Sequence, residues 1–247
     1  MRAVYFEVLT NPLLKMSDVT VVARVAHAHG ALVIIDNTFV TPLGQQPLDL
    51  GADIVLHSAT KYLSGHSDVT AGVVATKSSE LAEKLYFALN RVGGALSPQD
   101  SNLLRRGIQT LALRMERHQA NAVDVARGLG GNEYVTDVNY PGLESNAYYA
   151  LASSQLCTFG GVLSFEFDDR VDAEKMLDSL QLFTVAVSLG AVESLAELPC
   201  RMTHFELPRE ERLKHGITDG LVRLSIGIED VRDLIADLDQ AIHAALR

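Results

Sequence analysis

Apolar residues in the first third of the chain fall into short runs separated by polar punctuation, the pattern of strands alternating with helices. Val4-Tyr5-Phe6-Glu7-Val8-Leu9 predicts a strand, and Thr10-Asn11-Pro12 a turn, because proline lacks the donor that a ladder needs and restricts the residue before it. Ser17 is placed to cap a helix whose apolar positions Val19, Val22, Ala23 and Ala26 recur at helical spacing, and Gly30 is placed to stop it. Ala31-Leu32-Val33-Ile34-Ile35 then reads as a β-branched strand of the kind covered on both faces. The same rhythm runs on through residues 52–56 and 69–75, so the expectation is an α/β fold with parallel, buried strands.

Beyond residue 78 the pattern turns helical, through 80–90 and 99–127. The remainder predicts two strands, 161–167 and 221–226, and helices over 173–180 and 231–246. The economical division is residues 1–112 as the C-terminal part of a large domain and 113–247 as a small α+β C-terminal domain, joined on a shared long helix.

Composition narrows the function. The chain has 247 residues, enough to bury a large core, and 47% are hydrophobic, which excludes broad disorder. With 31 acidic against 21 basic residues the net charge is −10, which disfavours nucleic acid and anionic membrane surfaces as partners and leaves a small molecule. Two cysteines, Cys157 and Cys200, make no disulfide framework and read as buried thiols of a reducing compartment. No leader-like segment or membrane-length apolar stretch occurs, so a soluble cytoplasmic protein is expected.

Chemistry concentrates where apolar runs end. In open α/β sheets ligands bind beyond the carboxyl ends of strands, and Asp36-Asn37-Thr38 and His57-Ser58-Ala59-Thr60-Lys61-Tyr62 both sit there. An amine desolvated beside small hydroxyls suits a Schiff base with an aldehyde cofactor, whereas the commoner fate of a lysine is an exposed loop. Ser58 and Thr60 are suited to phosphate oxygens, and Gly65 and Gly72 to close approach of backbone to a ligand. A carboxylate at Asp36 keeps a pyridinium nitrogen protonated; it serves equally as an Asx turn, or as a phosphoryl-transfer nucleophile, although Thr38 stands where that chemistry wants a second carboxylate. His66 lacks metal-ligand spacing and no metal site is assigned. Arg223 lies inside the apolar strand Leu221-Val222-Arg223-Leu224-Ser225-Ile226, so an internal or a substrate carboxylate must meet it. Val187-Ser188-Leu189-Gly190 offers a hydroxyl and amides to the same carboxylate.

Residues 7–12, Asp36-Asn37-Thr38, Ser58-Ala59-Thr60-Lys61-Tyr62, Ser188-Leu189-Gly190, Met202-Thr203-His204 and residues 222–230 occur in the order of one family. The chain resembles, over essentially its whole length, the cysteine/methionine-metabolism pyridoxal-phosphate enzymes, the transsulfuration group of cystathionine γ-lyase, cystathionine γ-synthase and methionine γ-lyase. The resemblance implies the fold-type I, aminotransferase-like α/β architecture, a homo-oligomer (dimer or tetramer), pyridoxal 5'-phosphate as cofactor and a sulfur amino acid as substrate. It also implies that Lys61 joins the cofactor and shuttles protons, that Asp36 pairs with the ring nitrogen, that Asn11 bonds the phenolic oxygen, that Ser58 and Thr60 hold phosphate, and that Ser188 and Arg223 take the substrate α-carboxylate. The expected reaction is γ-elimination or γ-replacement on cystathionine, methionine or a homoserine derivative.

Two departures from the family pattern stand out. The family carries a further N-terminal part with a phosphate loop and a ring-stacking tyrosine, so the large domain is expected to be incomplete, and a noncatalytic fragment or a complementary N-terminal chain remains the alternative. Val187 stands where cystathionine-processing members commonly have glutamate, while residues 191–199 resemble the cystathionine enzymes; the substrate stays open between them.

Overall fold

Two sheets organise the protein, whose computed structural model describes residues 2–247. In the first, β1 (Ala3–Glu7), β2 (Leu32–Asp36), β3 (Ile54–Ser58) and β4 (Gly72–Ala75) lie side by side in that order. The second holds β5 (Val135–Asn139), β6 (Val162–Phe167), β7 (Thr184–Val185), β8 (Leu195–Glu197) and β9 (Leu221–Ser225), in the order β5-β6-β9-β8-β7. Of the second sheet's strands, β6 and β9 match the expectation, whereas β5, β7 and β8 did not stand out. The strands β7 and β8 are two and three residues long, too short to display a period.

β1 pairs parallel to β2, and β2 to β3, as the alternating pattern predicts. Helix α1 (Val19–Ala28) makes the first crossover. Its cap is Asp18 and not Ser17: Asp18 is the extended residue directly before the first helical one, and its Oδ1 accepts the Val21 N–H at 3.0 Å. Gly30 ends the segment at φ +67°. Val33 and Ile35 are fully buried in the same cluster as Val19, Ala23 and Ala26, but Leu32 on the opposite face is exposed, so β2 is not covered on both faces.

The last strand of this sheet corrects a further expectation. β4 runs antiparallel to β3 and is largely exposed, because residues 59–71 return without a crossover helix and leave β4 as an edge. That return loop carries Lys61.

A short helix α2 (Thr41–Gly44) follows β2, and α3 (Ser79–Val92), α4 (Pro98–Gln109) and α5 (Leu111–Gly130) follow β4. The continuous helix expected over 99–127 is broken at Thr110. Buried Arg114 accounts for the break: its guanidinium donates to the Gly107 carbonyl at 2.8 Å and to Thr110 Oγ1 at 3.1 Å, satisfying groups the interrupted helix leaves open. The same guanidinium donates to the Tyr62 carbonyl at 2.8 Å and fills the space a Cβ of Gly65 would need, so Gly65 serves packing rather than a ligand. The remaining helices are α6 (Tyr149–Gln155), α7 (Ala173–Asp178), which ends two residues before the expected 180, α8 (Arg209–Lys214) and α9 (Val231–Ala244).

Two apolar clusters hold these layers. One lies beneath the first sheet; the other packs β6 and β9 against α7 and α9. Helix α5 serves both, giving Leu111 and Met115 to the first and Ala122, Val125, Ala126 and Leu129 to the second. Tyr62 pins the Lys61 loop between them: fully buried, it meets the His118 ring of α5 edge-on at 5.2 Å and accepts the Gly161 N–H at 3.1 Å. Cys200 is buried, but Cys157 is exposed where α6 ends and the chain turns toward β6.

Candidate active site

The ends of β1, β2 and β3, the loop after β3 and a wall from the second sheet enclose a cleft of about 340 Å³. Six of the seven residues expected from sequence line it: Asn11, Asp36, Ser58, Lys61, Ser188 and Arg223. The amine of residue 61 and the carboxylate of residue 36 therefore share one cavity. Thr60 does not line it; its hydroxyl exchanges hydrogen bonds with the Ala71 backbone, at 3.0 Å from the amide and 3.4 Å to the carbonyl, and it faces a neighbouring depression.

Asp36 is the last residue of β2, opposite Glu7 of β1 in the ladder. Its Oδ1 accepts the Thr38 N–H at 2.9 Å, the Asx turn the sequence allowed, and Oδ2 accepts the Tyr5 hydroxyl at 3.3 Å. The turn does not compete with a binding role, since a carboxylate has about four acceptor positions. Thr38 Oγ1 accepts the Ser58 N–H at 2.8 Å and so joins the ends of β2 and β3. Glu7 was not expected as a lining residue. Burial pushes its carboxyl up; the Asn11 N–H it accepts at 3.2 Å opposes that, and Asp36 adds to it.

Lys61 stands three residues past β3, in a turn where Ser58 accepts the Lys61 N–H at 3.2 Å and Lys61 accepts the Gly65 N–H at 2.8 Å. It is not the exposed loop lysine of the common case. Its half-buried Nζ donates to Ser188 Oγ at 2.7 Å. Burial depresses its pKa, Arg223 depresses it further, and Glu197 pulls it back up.

Ser188 holds φ +93°, a conformation that non-glycine residues adopt only when the surroundings impose it. Those surroundings are Arg223, whose Nη2 donates to the Ser188 carbonyl at 2.6 Å, and Gly190, whose N–H donates to Ser225 Oγ at 2.8 Å. A Cβ on Gly190 would meet the Tyr62 nitrogen at 2.7 Å, so only glycine lets the two segments touch.

Arg223 points from β9 into the cleft wall and is almost fully buried. The carboxylate that meets it within the protein is Glu197, directly opposite on β8, at 2.9 Å. Its Nη1 also donates to Asn11 Oδ1 at 3.0 Å. Because guanidinium only donates, this contact fixes the Asn11 amide with oxygen toward Arg223 and leaves the two Nδ2 hydrogens for a ligand. Sequence reasoning missed Glu197 and singled out Thr203 only within a motif. Thr203 lines the cleft and its Oγ1 is 2.9 Å from Glu197 Oε1. The signal available for Glu197 was a lone acid in an apolar stretch, the same signal that marked Arg223.

A half-buried amine, a carboxylate lining the same cleft, an amide donor and a serine hydroxyl fit the aldehyde, pyridine nitrogen, phenolic oxygen and phosphate of pyridoxal phosphate. Among the described residues no group of three or more His, Cys, Asp or Glu is placed to hold a metal ion, and no helix is long and apolar enough to cross a membrane.

The model of the Cys/Met metabolism PLP-dependent enzymes matches residues 1–243. The chain is 55% identical over 244 residues to a cystathionine gamma-lyase of Bacillus subtilis, covering 98% of this chain and 64% of that protein. It is 51% identical over 247 residues to an L-methionine gamma-lyase of Pseudomonas deceptionensis, covering 98% and 62%. The crystal structure of cystathionine gamma-lyase from Lactobacillus plantarum complexed with L-serine superposes with a TM-score of 0.96 at 47% identity, covering 99% of this chain and 64% of that one. The chain thus spans just under two thirds of the length of these relatives.

Proposed function

The chain belongs to the Cys/Met metabolism PLP-dependent enzymes, and from that premise we propose that it cleaves or exchanges a carbon–sulfur bond of a sulfur amino acid, by γ-elimination or γ-replacement on cystathionine, methionine or a homoserine derivative. The observation that carries the reading is the Lys61 Nζ held 2.7 Å from Ser188 Oγ in the cleft that Asp36 and Arg223 also line. Family membership also sets aside the phosphoryl-transfer reading of Asp36.

Pyridoxal phosphate, when bound, supplies an electron sink that stabilises negative charge at the substrate α carbon. Lys61 would hold it through its aldehyde carbon, Asp36 would pair with the ring nitrogen, Asn11 Nδ2 would donate to the phenolic oxygen and Ser58 would hold the phosphate, whereas the Thr60 hydroxyl is engaged by the Ala71 backbone outside the cleft. Arg223 and Ser188 orient the α-carboxylate. Once free, Lys61 Nζ takes the α proton and delivers a proton on the side of the departing sulfur, work suited to an amine whose pKa is depressed by burial. Residues 1–112 form the cofactor-binding part and 113–247 the small domain. We place the protein in the cytoplasm as a homo-oligomer; α3, which buries none of its residues and leaves Tyr86, Phe87 and Val92 exposed, supports self-association.

The test is release of 2-oxo acid from L-cystathionine and from L-methionine by the protein supplied with pyridoxal phosphate. An O-acylated homoserine is assayed beside them, alone and with a thiol; turnover of at least one of the three is expected, and turnover of none overturns the reading. Val187 lines the cleft and is half exposed. Val187→Glu gives a carboxylate to the distal ammonium of cystathionine, so the cystathionine to methionine preference is expected to rise about fivefold, the worth of a partly exposed ion pair. An unchanged ratio removes residue 187 from substrate choice.

A further inference from the structure

The buried pair behind the cleft is built in a way that packing alone does not require. Glu197 and Arg223 face each other across β8 and β9, 0% and 3% exposed, with their nearest contact Oε1 to Nη1 at 2.9 Å. Glu197 Oε2 and Arg223 Nε, both buried, have no partner. A pair serving only to satisfy two charges gains from a two-pronged fork, and even then burying it is poorly repaid. Here two further donors of Arg223 go to cleft residues, Nη1 to Asn11 and Nη2 to the Ser188 carbonyl. Glu197 Oε1 also holds Thr203 Oγ1, which lines the same cleft.

We propose that Glu197 is a positioning residue: it anchors Arg223 from behind, so that the guanidinium is held in the cleft wall where the α-carboxylate of an amino-acid substrate meets it, and it offsets the arginine's charge at the Lys61 amine. The inference rests on the function proposed above. The charged groups that line the cleft with Lys61 are Glu7 on β1, Asp36 on β2 and Arg223 on β9, and Glu197 on β8 stands behind Arg223. Burial and Arg223 push the amine toward its neutral form and Glu197 opposes them, so removing the Glu197 charge favours neutral Lys61.

Two variants separate the roles. Glu197→Gln keeps the shape and an acceptor but removes the charge; Glu197→Asp keeps the charge but shortens the reach to Nη1. The titration of Lys61 is read without cofactor, from the pH dependence of the NMR signal of the ¹³C-dimethylated side chain, and the KM for L-cystathionine is read on the protein supplied with pyridoxal phosphate. Glu197→Gln is expected to move the Lys61 titration to lower pH, and adding Arg223→Gln to move it back. Glu197→Asp is expected to leave that titration near its starting position and raise KM roughly tenfold, with a smaller change in kcat. A Lys61 titration that superimposes on the unsubstituted protein's in folded Glu197→Gln, or an unchanged KM in Glu197→Asp, overturns the proposal. Because the titration needs no cofactor, its failure is distinct from failure of the proposed reaction, which the assay for 2-oxo acid release decides separately.

Discussion

Lys61→Ala is expected to lower turnover of L-cystathionine or L-methionine by roughly 10³-fold or more while leaving the fold intact. The amine is the one group in the cleft that combines attachment of an aldehyde with proton transfer. Its single side-chain hydrogen bond, to Ser188 Oγ, is lost without leaving a buried charge behind. Lys61→Arg keeps a cation but not an amine that loses its proton in the working range, and is expected to be equally inactive. The pH dependence follows from the direction of the shift. Only neutral amine condenses with an aldehyde, and burial with Arg223 depresses the Lys61 pKa, so capture of pyridoxal phosphate is expected to reach half its limiting rate below the ~10.4 of a free lysine. Turnover undiminished in Lys61→Ala contradicts the mechanism outright.

Arg223→Ala is expected to act twice. The substrate loses the guanidinium that orients its α-carboxylate, raising KM by about tenfold or more with a smaller loss in kcat. The protein loses the counter-charge of fully buried Glu197, and breaking such a pair from one side costs about 3–5 kcal/mol. Urea denaturation should therefore show a lower midpoint, a loss that Lys61→Ala does not share. Arg223→Lys restores charge but not the planar fork, so it is expected to recover part of the stability and little of the substrate affinity. A KM within twofold of the unsubstituted protein, with the denaturation midpoint unmoved, removes Arg223 from both roles.

The site was legible in the sequence wherever its chemistry interrupts an apolar run. Asp36 ends a strand, Lys61 follows one within three residues, and Arg223 is a charge within one; each is an interruption that a strand tolerates only for a reason. Glu197 is the same kind of interruption, but its three-residue strand is too short to reveal itself, so the partner of Arg223 emerged only when the ladder set the two opposite each other. Thr60 shows the converse. Spacing put it beside Ser58, but the loop turns its hydroxyl onto Ala71 and away from the cleft.

The parallel core of the first sheet was likewise readable from β-branched runs separated by a helix. The reversed β4 was not, because strand direction depends on whether the return passes over a face of the sheet, and the loop of residues 59–71 carries no mark of that. The break at Thr110 was hidden for a similar reason: Arg114, which satisfies the groups freed there, looks like any other charge on a helix until it is found buried.

The account stands on one amine sharing a cleft with one carboxylate. Its most direct measurement is incubation of the protein with pyridoxal phosphate, reduction with borohydride and mapping of the fixed cofactor by peptide mass spectrometry. A single adduct on Lys61, abolished by Lys61→Ala, is the predicted result; no adduct, or labelling scattered over surface lysines such as Lys77 and Lys84, contradicts it.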